Sequence, residues 1–576
     1  MRGNVQDEIG RLSQEVVQRY QTGDFAAALR PATQVVELMR RHLGPEHPSY
    51  ASGLNNLAVL YCKMGNHAGA EPLYRQALEI NRRALGEKHL TYANSLNSLA
   101  GLYYAMGNYA GAEPLYRQAL KIYCRALGKE HPFHPTSRDN LAGLYQMRGN
   151  HAGAERLLRQ ALEIRRRALG AEHPDYADSL NRLAGLYYAM GNYAGAEPLF
   201  RQALEIRRRA LGEEHPDYAT SLNSLAGLCA ATDRVPEALS LMERAAAVDD
   251  RMIGQVFSIG SEAQRTAFLA QVQPRQALFL SLVVLSHATN PEAVAAALDL
   301  VLRRKAIRAE ALATQHTALL GGRYPDLAPQ FREWTALRAQ IARKTLDGPG
   351  PEGLEEHRRR LAGWEQQKER LEAELARSVP EMNLEQKLRA ADRRAVALAL
   401  PPRAALVEFV RFDVFSFQAV PARGERQWEP ARYLAFVLPA GEPEQVRMVD
   451  LGEAEPLDVL IRDFRRFTLG EDEGETHRDL GAALAESGTA PDAASGTVLR
   501  AALFDPLRPA LEGRTWLLLS PDGDLTRLPF EVLPGFTHDR LIEEYQISYV
   551  SCGRDVLRFG APTSGRPAGA AGAGRS

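Results

Sequence analysis

Apolar side chains in the stretch YASGLNNLAVLYCKMGNHAGAEPLYRQALEINRRALGEKHL, residues 50–90, recur at helical and not at strand intervals. Leu54, Leu57, Ala58 and Tyr61 fall three or four residues apart, and Gly65-Asn66 ends the run. A second run, Ala70, Leu73, Tyr74, Ala77 and Leu78, closes at Leu85-Gly86. The pattern predicts two antiparallel helices, A and B, with Gly86 in the left-handed conformation that ends helix B. Pro72 is expected in the first turn of helix B, where a missing N–H costs nothing.

The pair is repeated. Gly23-Asp24, Gly65-Asn66, Gly107-Asn108, Gly149-Asn150 and Gly191-Asn192 keep a 42-residue step. Gly44, Gly86, Gly128, Gly170 and Gly212 keep it too, as do His47, His89, His131, His173 and His215. A sixth unit opens as SLNSLAGLC but has Asp233 where glycine is due, and reads as a degenerate cap. One helix pair cannot bury its own apolar face, so stacked pairs are expected to form a mostly α solenoid with a concave groove. The marks Leu54, Leu57, Ala58, Tyr61, Gly65, Ala70, Tyr74 and Ala77 resemble the tetratricopeptide repeat, and L-N-N-L-A-x-L-Y on a 42-residue step resembles its kinesin-light-chain subtype.

Helix A lines the inside of such a superhelix, and Asn55, Asn97, Asp139, Asn181 and Asn223 follow its first leucine. A carboxamide donates and accepts at once, which suits the backbone of an extended peptide. The resemblance implies that this ladder contacts ligand peptides; the alternative is that it was copied with the repeat and faces water. Tyr104 and Tyr188 are read as packing between helices, the alternative being that they stack on ligand side chains, and Arg165 to Arg167 and Arg207 to Arg209 as solvated faces of helix B. The histidines, one per unit, do not converge as a metal site requires. No metal, and no other cofactor, is expected.

From residue 249 to 395 a helical connector is expected. Ser261 with Gln264 reads as a capping box, Asn290-Pro291 opens the helix PEAVAAALDLVLRRKAIRAEALA, and a helical hairpin breaks at DGPGPEG, with Trp334 and Trp364 packing between its arms. Residues 396–560 turn α/β, with strands expected in AALVEFVRFDVFSF, RYLAFVL, TWLLLS and YQISYV. In S-P-D-G, Gly523 supplies the unusual turn angle.

Segments L-P-P-x-A-A-L-V-E at 400–408, Y-L-A-F-V-L at 433–438, D-L-G at 450–452, F-D-P-L at 504–507, S-P-D-G-x-L-x-x-L-P-F-E-V-L at 520–533 and I-S-Y-V-S-x-G-R-D at 547–555 resemble the CHAT domain, a caspase-like peptidase module. The resemblance implies a catalytic histidine and cysteine downstream of these segments, and residues 556–576 contain neither. Cys552 is not expected to substitute with His538 as its base, because the strand between them, ten extended residues, would hold them roughly 30 Å apart. The region is therefore read as an incomplete caspase-like fold whose parallel sheet has an open edge, followed by a disordered tail at 561–576.

Composition narrows the partners. With 70 basic against 71 acidic residues, no global field selects nucleic acid or an anionic membrane. The longest apolar run, ALFLSLVVL, is too short to span a bilayer, the N-terminus lacks an apolar signal core, and the 4 cysteines are far apart; a cytoplasmic location follows. High Ala, Gly and Arg point to a GC-rich bacterial genome. The expected function for residues 1–248 is capture of a protein or extended peptide. One alternative makes the chain the regulatory part of a cysteine peptidase whose catalytic half lies downstream or on another chain; another makes it a self-associating scaffold.

Overall fold

Helix starts along the first half are set by side-chain caps. Asn66, Asn108, Asn150 and Asn192 accept, through Oδ1, from the backbone N–H of Gly69, Gly111, Gly153 and Gly195 at 2.9–3.0 Å. His89, His173 and His215 accept through Nδ1 from Thr91, Asp175 and Asp217 at 3.1–3.2 Å, so these histidines start helices. In the computed structural model of the chain, residues 2–21, 25–63, 66–128, 134–259, 262–307, 325–347, 391–469, 493–536 and 539–558 and parts of 359–375 are described. His131, Ser261, His538 and the tail at 561–576 lie outside them.

Six helix pairs follow one another: α1 (Arg2–Gln21) with α2 (Phe25–Leu43), α3 (Pro48–Lys63) with α4 (His67–Leu85), α5 (Leu90–Ala105) with α6 (Tyr109–Leu127), α7 (His134–Met147) with α8 (His151–Leu169), α9 (Pro174–Ala189) with α10 (Tyr193–Leu211), and α11 (Pro216–Ala231) with α12 (Val235–Ile259). Because Asn66 caps α4 at His67, Pro72 is the helix's sixth residue and lies beyond the first turn, where the apolar spacing had put it. Gly86, Gly128, Gly170 and Gly212 end helix B with φ of 83–91° but ψ of 160–166°, an extended positive-φ conformation essentially reserved for glycine and not the left-handed one expected. Asp233 takes φ 57°, close to the 73–75° of Gly107, Gly149 and Gly191, so the sixth unit keeps the turn of the others and continues as a full pair.

Leu54, Leu96, Leu180 and Leu222 fill equivalent core positions with exposures of 2% or less, and in α7 the same position is Arg138. Its guanidinium is buried, reaching Gln160 Oε1 at 3.2 Å and Cys124 Sγ at 3.7 Å, while its Nη1 has no partner among the described residues. Replacing a buried, poorly paired cation by a well-packed apolar side chain is neutral or stabilising by about 1–4 kcal/mol. Arg138→Leu is therefore expected to raise the thermal midpoint, measured by calorimetry; a lowered midpoint would show that the bonds to Gln160 and Cys124 outweigh the cost of burying the charge.

Beyond the sixth pair come α13 (Glu262–Ser286) and α14 (Pro291–Arg304), the latter capped by Asn290 as the sequence predicted; residues 308–313 of the expected helix lie outside the described residues. In α13 the stretch Phe268–Ser286 is long and apolar enough to cross a membrane, with a mean hydropathy of 1.3. Here Phe279, Leu280, Leu282 and Val283 are buried in the main core, and Ser281 Oγ accepts from Phe415 N at 2.8 Å. Helix α15 (Ala328–Asp347) brings Trp334 and Leu337 against Leu371 and Leu375, with Trp364 packed on the cluster, and Gln367 donates to Glu333, consistent with the expected hairpin.

After α16 (Arg393–Ala399), a five-stranded sheet forms from β1 (Ala404–Phe415), β2 (Trp428–Pro439), β3 (Arg447–Glu453), β4 (Trp516–Ser520) and β5 (Gln546–Tyr549), in the order β3-β2-β1-β4-β5. β1 runs parallel to β4, and β4 to β5, but β1–β2 and β2–β3 are antiparallel. The sheet is thus mixed, correcting the parallel one expected. Residues 416–427 join β1 to β2 without a crossover helix, which returns the chain antiparallel. Gly523, φ 56°, closes the Pro-Asp-Gly turn where a Cβ would lie 2.5 Å from the Tyr433 hydroxyl.

Burial on both faces explains why β1 reads as a nearly continuous apolar run. Leu406, Val410, Phe412, Leu434, Phe436 and Leu518 join one core with α13, α14 and the later helix pairs. Val407, Phe409, Val437, Leu517 and Leu519 face α17 (Ala454–Leu469) and α18 (Ala493–Leu503) on the other side.

Candidate functional site

The ladder residues sit on the first helix of successive pairs, one helix apart. Oδ1 of Asn55, Asn97, Asp139 and Asn181 is buried and has no hydrogen-bond partner among the described residues. A buried acceptor without a donor costs of the order of 1–3 kcal/mol, so the row favours any ligand that brings N–H groups to it. The members differ in what else they do. Asn55 Nδ2 donates to Ser95 Oγ at 3.1 Å, and Asn223 Nδ2 donates to Ala219 O of its own helix at 3.0 Å. Asp139 is buried and accepts from Arg165 at 2.8 Å; burial pushes its carboxyl up against the pull of that arginine.

A second row braces the first, and sequence reasoning missed it. Ser95, Ser179 and Ser221 are buried two residues before the ladder positions, and each accepts from the preceding helix B: Ser95 from Asn81 at 2.9 Å, Ser179 from Arg165, and Ser221 from Arg207 at 2.7 Å. Arg207 also holds Asp178 and the carbonyl of Asp217. Arg165 and Arg207 therefore point inward, which corrects the reading of the arginine triplets as wholly solvated. Their neighbours Arg166, Arg167, Arg208 and Arg209 are exposed and pair with Glu163 and Glu205. The signal was the serine that keeps the 42-residue step, since a serine between apolar core positions needs a polar partner.

Tyr104 and Tyr188 lie seven residues, about two turns, beyond Asn97 and Asn181 on the same helices. Tyr188 donates its hydroxyl to the carbonyl of Phe417 at 2.9 Å, so it holds a segment from the β1–β2 loop and does more than fill space between helices.

On the face of the sheet that packs against α13 and α14, Cys552 is fully buried with Sγ 3.6 Å from Leu302 O. Burial, and then the nearby Glu408 carboxylate, pushes its thiol up to about 12. Beside it Lys305, at the end of α14, lies 2.6 Å from Glu408 Oε1, 2.7 Å from the carbonyls of Phe409 and Ser520, and 2.8 Å from Ser520 Oγ. Ser520 Oγ donates to the same carboxylate oxygen at 2.6 Å and Gly553 N to the other at 2.6 Å. Arg554 donates to the carbonyls of Leu302, Arg303 and Lys305. The cluster ties the end of α14 to β1, β4 and residues 553–554.

Family comparison matches tetratricopeptide-repeat models over residues 49–125, 133–208 and 177–251, with further repeat matches at 20–49 and 97–167. The chain belongs to the tetratricopeptide-repeat family. Its tetratricopeptide array is similar to the nearly identical TPR-like repeats of a Podosopora anserina protein assigned as a kinesin light chain, at 32% identity, over 36% of this chain and 98% of that one, with a TM-score of 0.33. It is also similar to BtubC (BKLC) from P. vanneervenii, at 24% identity, over 43% of this chain and 92% of that one, with a TM-score of 0.34. Comparison with curated proteins finds no match. Residues 493–573 match the CHAT domain, so a CHAT-type region follows the tetratricopeptide array; the match begins at α18 and takes in β4, β5 and Cys552.

Chemically, the tetratricopeptide array offers unpaired acceptors in register with one another. The CHAT-type region offers, among the described residues, a thiol that is shielded and held protonated. A cysteine nucleophile needs the opposite: access, and a base or cation that lowers its pKa.

Proposed function

We propose that this protein captures a protein or an extended peptide along the ladder Asn55, Asn97, Asp139, Asn181 and Asn223, and that its CHAT-type region, with the Cys552 thiol buried, does not itself cleave peptides. The observation that carries the reading is the row of buried Oδ1 atoms of Asn55, Asn97, Asp139 and Asn181, without partners among the described residues, an arrangement that an extended backbone, donating an N–H along its length, would satisfy. Asn181 and Asn97 are its least encumbered members, while Asp139 is committed to Arg165. The burial of Cys552 supports the second half of the reading. The balanced charge fits a protein partner better than nucleic acid or a membrane surface, and a cytoplasmic setting.

An array of immobilised unstructured peptides tests this. The double variant Asn97→Ala, Asn181→Ala is expected to bind the peptides retained by the native chain at least about fivefold more weakly, the loss of one or two hydrogen bonds. Equal retention by both proteins would remove the ladder from the account.

A second reading, a regulatory chain that joins a peptidase half carried elsewhere, is favoured by the sheet edge: among the described residues β5 pairs only with β4. Self-association through the same edge is its competitor, and light scattering of the native chain over a concentration series distinguishes a monomer from a dimer.

A further inference from the structure

Two tyrosine pairs stand two repeats apart in nearly the same geometry. Tyr104 and Tyr109 have ring centroids 5.5 Å apart at 55°, and Tyr188 and Tyr193 have theirs 5.6 Å apart at 50°. Each pair bridges the end of one helix and the start of the next across a positive-φ glycine, Gly107 at 73° and Gly191 at 74°. In three of the other units Cys62, Gln146 and Ala230 occupy the position of the first tyrosine, and the first unit has Tyr20 and Phe25 at the two positions.

One pair is filled by the chain itself. Besides the bond from Tyr188 to the Phe417 carbonyl, Val420 lies over Gly191, where a Cβ would come within 3.5 Å of it. Arg423 and Glu425 lie close enough to act electrostatically on Tyr193. Phe417 and Val420 are both buried. Recognition thus consists of one backbone carbonyl and two apolar side chains three residues apart. Gln418, 3.4 Å from Asp233 Oδ1, adds a polar side-chain contact.

The other pair is open. Among the described residues nothing accepts from the Tyr104 hydroxyl, and Met106 is 47% exposed, whereas its counterpart Met190 packs against the main core. Both copies present the same groups, yet only one has an occupant.

We propose that the Tyr104–Tyr109 surface is a docking site for a partner protein's extended segment of the Phe417–Val420 kind: an aromatic residue that presents its carbonyl to the Tyr104 hydroxyl, and an aliphatic residue three positions on that lies over Gly107. Gly149 stands where Asp233 serves the filled copy, so the residue after the aromatic is left unspecified. The proposal rests on the array being a protein-binding surface, but it uses contacts separate from the ladder carbonyls.

The probe is a fluorescein-labelled peptide with the sequence of residues 414–422, titrated with the full native chain and followed by anisotropy. Saturable binding is expected. Tyr104→Phe, which removes a single oxygen, is expected to weaken it about three- to tenfold, as loss of one hydrogen bond should. Tyr188→Phe is expected to leave it unchanged. Absence of saturation, indifference to Tyr104→Phe, or loss on Tyr188→Phe, which would mean that the peptide only exchanges with the internal segment, each overturns the proposal. If the peptide fails to bind while the ladder double variant still loses array peptides, the docking site falls and the ladder stands.

Discussion

Lys305→Met destabilises the sheet-bearing region by about 3–5 kcal/mol, because it leaves the Glu408 carboxylate, which is 0% exposed, without its cation. The remaining donors, Ser520 Oγ and Gly553 N, are neutral and cannot replace the charge. Methionine fills nearly the same volume, so the loss is electrostatic and not a cavity effect. In urea unfolding the variant is expected to lose the transition of the sheet at lower denaturant, with the helical transition of the first repeats displaced much less. The double variant Lys305→Met, Glu408→Gln is expected to recover a large part of the loss, since it removes the orphaned charge along with its partner. A double variant as unstable as the single one would show that shape, and not charge compensation, holds α14 to β1.

Iodoacetamide is expected to leave Cys552 unmodified in the native chain under conditions that label it fully after unfolding. Two factors combine. The sulfur is enclosed, and with the thiol at about 12 the thiolate is about 10³-fold scarcer at pH 8 than for an ordinary cysteine near 8.5. The linkage sign follows: the folded pKa lies above the unfolded one, so the protonated thiol is favoured by folding, and that stabilisation is lost as pH rises through the unfolded value toward about 12. Mass spectrometry after labelling reads the site directly. Native-state labelling of Cys552 as fast as that of the half-buried Cys62 or Cys124 would contradict both its burial and the exclusion of this residue as a nucleophile. Coupling the two experiments is informative, because Lys305→Met, by loosening residues 553–554 from α14, is expected to bring the labelling rate up.

How far the chain could be read in advance varied by element. Helix pairs, their glycine turns and the Asn290 cap were legible because each depends on a few neighbouring residues. The point of entry to helix B was misplaced by three residues, since apolar spacing registers the buried face and is silent about the Asn66 cap preceding it. β3 was seen only as a D-L-G motif, because its half-buried pattern carries little apolar signal. The ladder was identified by position alone; what its members bond to depends on groups such as Ser95 and Arg165, which approach from neighbouring helices.

What residue order alone determined is the 42-residue architecture: backbone termination at Gly86 or Gly191 and capping at Asn108 or His173 are short-range events, decided within a turn of helix. Only the tertiary structure decided which way Arg165 and Arg207 point, that β1 pairs with β2 on one side and β4 on the other, that Cys552 lies against Leu302, and that Tyr188 is occupied while Tyr104 is not. Each of those outcomes is set by a group distant in sequence, and burial, charge compensation and hydrogen-bond partnership are properties of such meetings and not of the local chain.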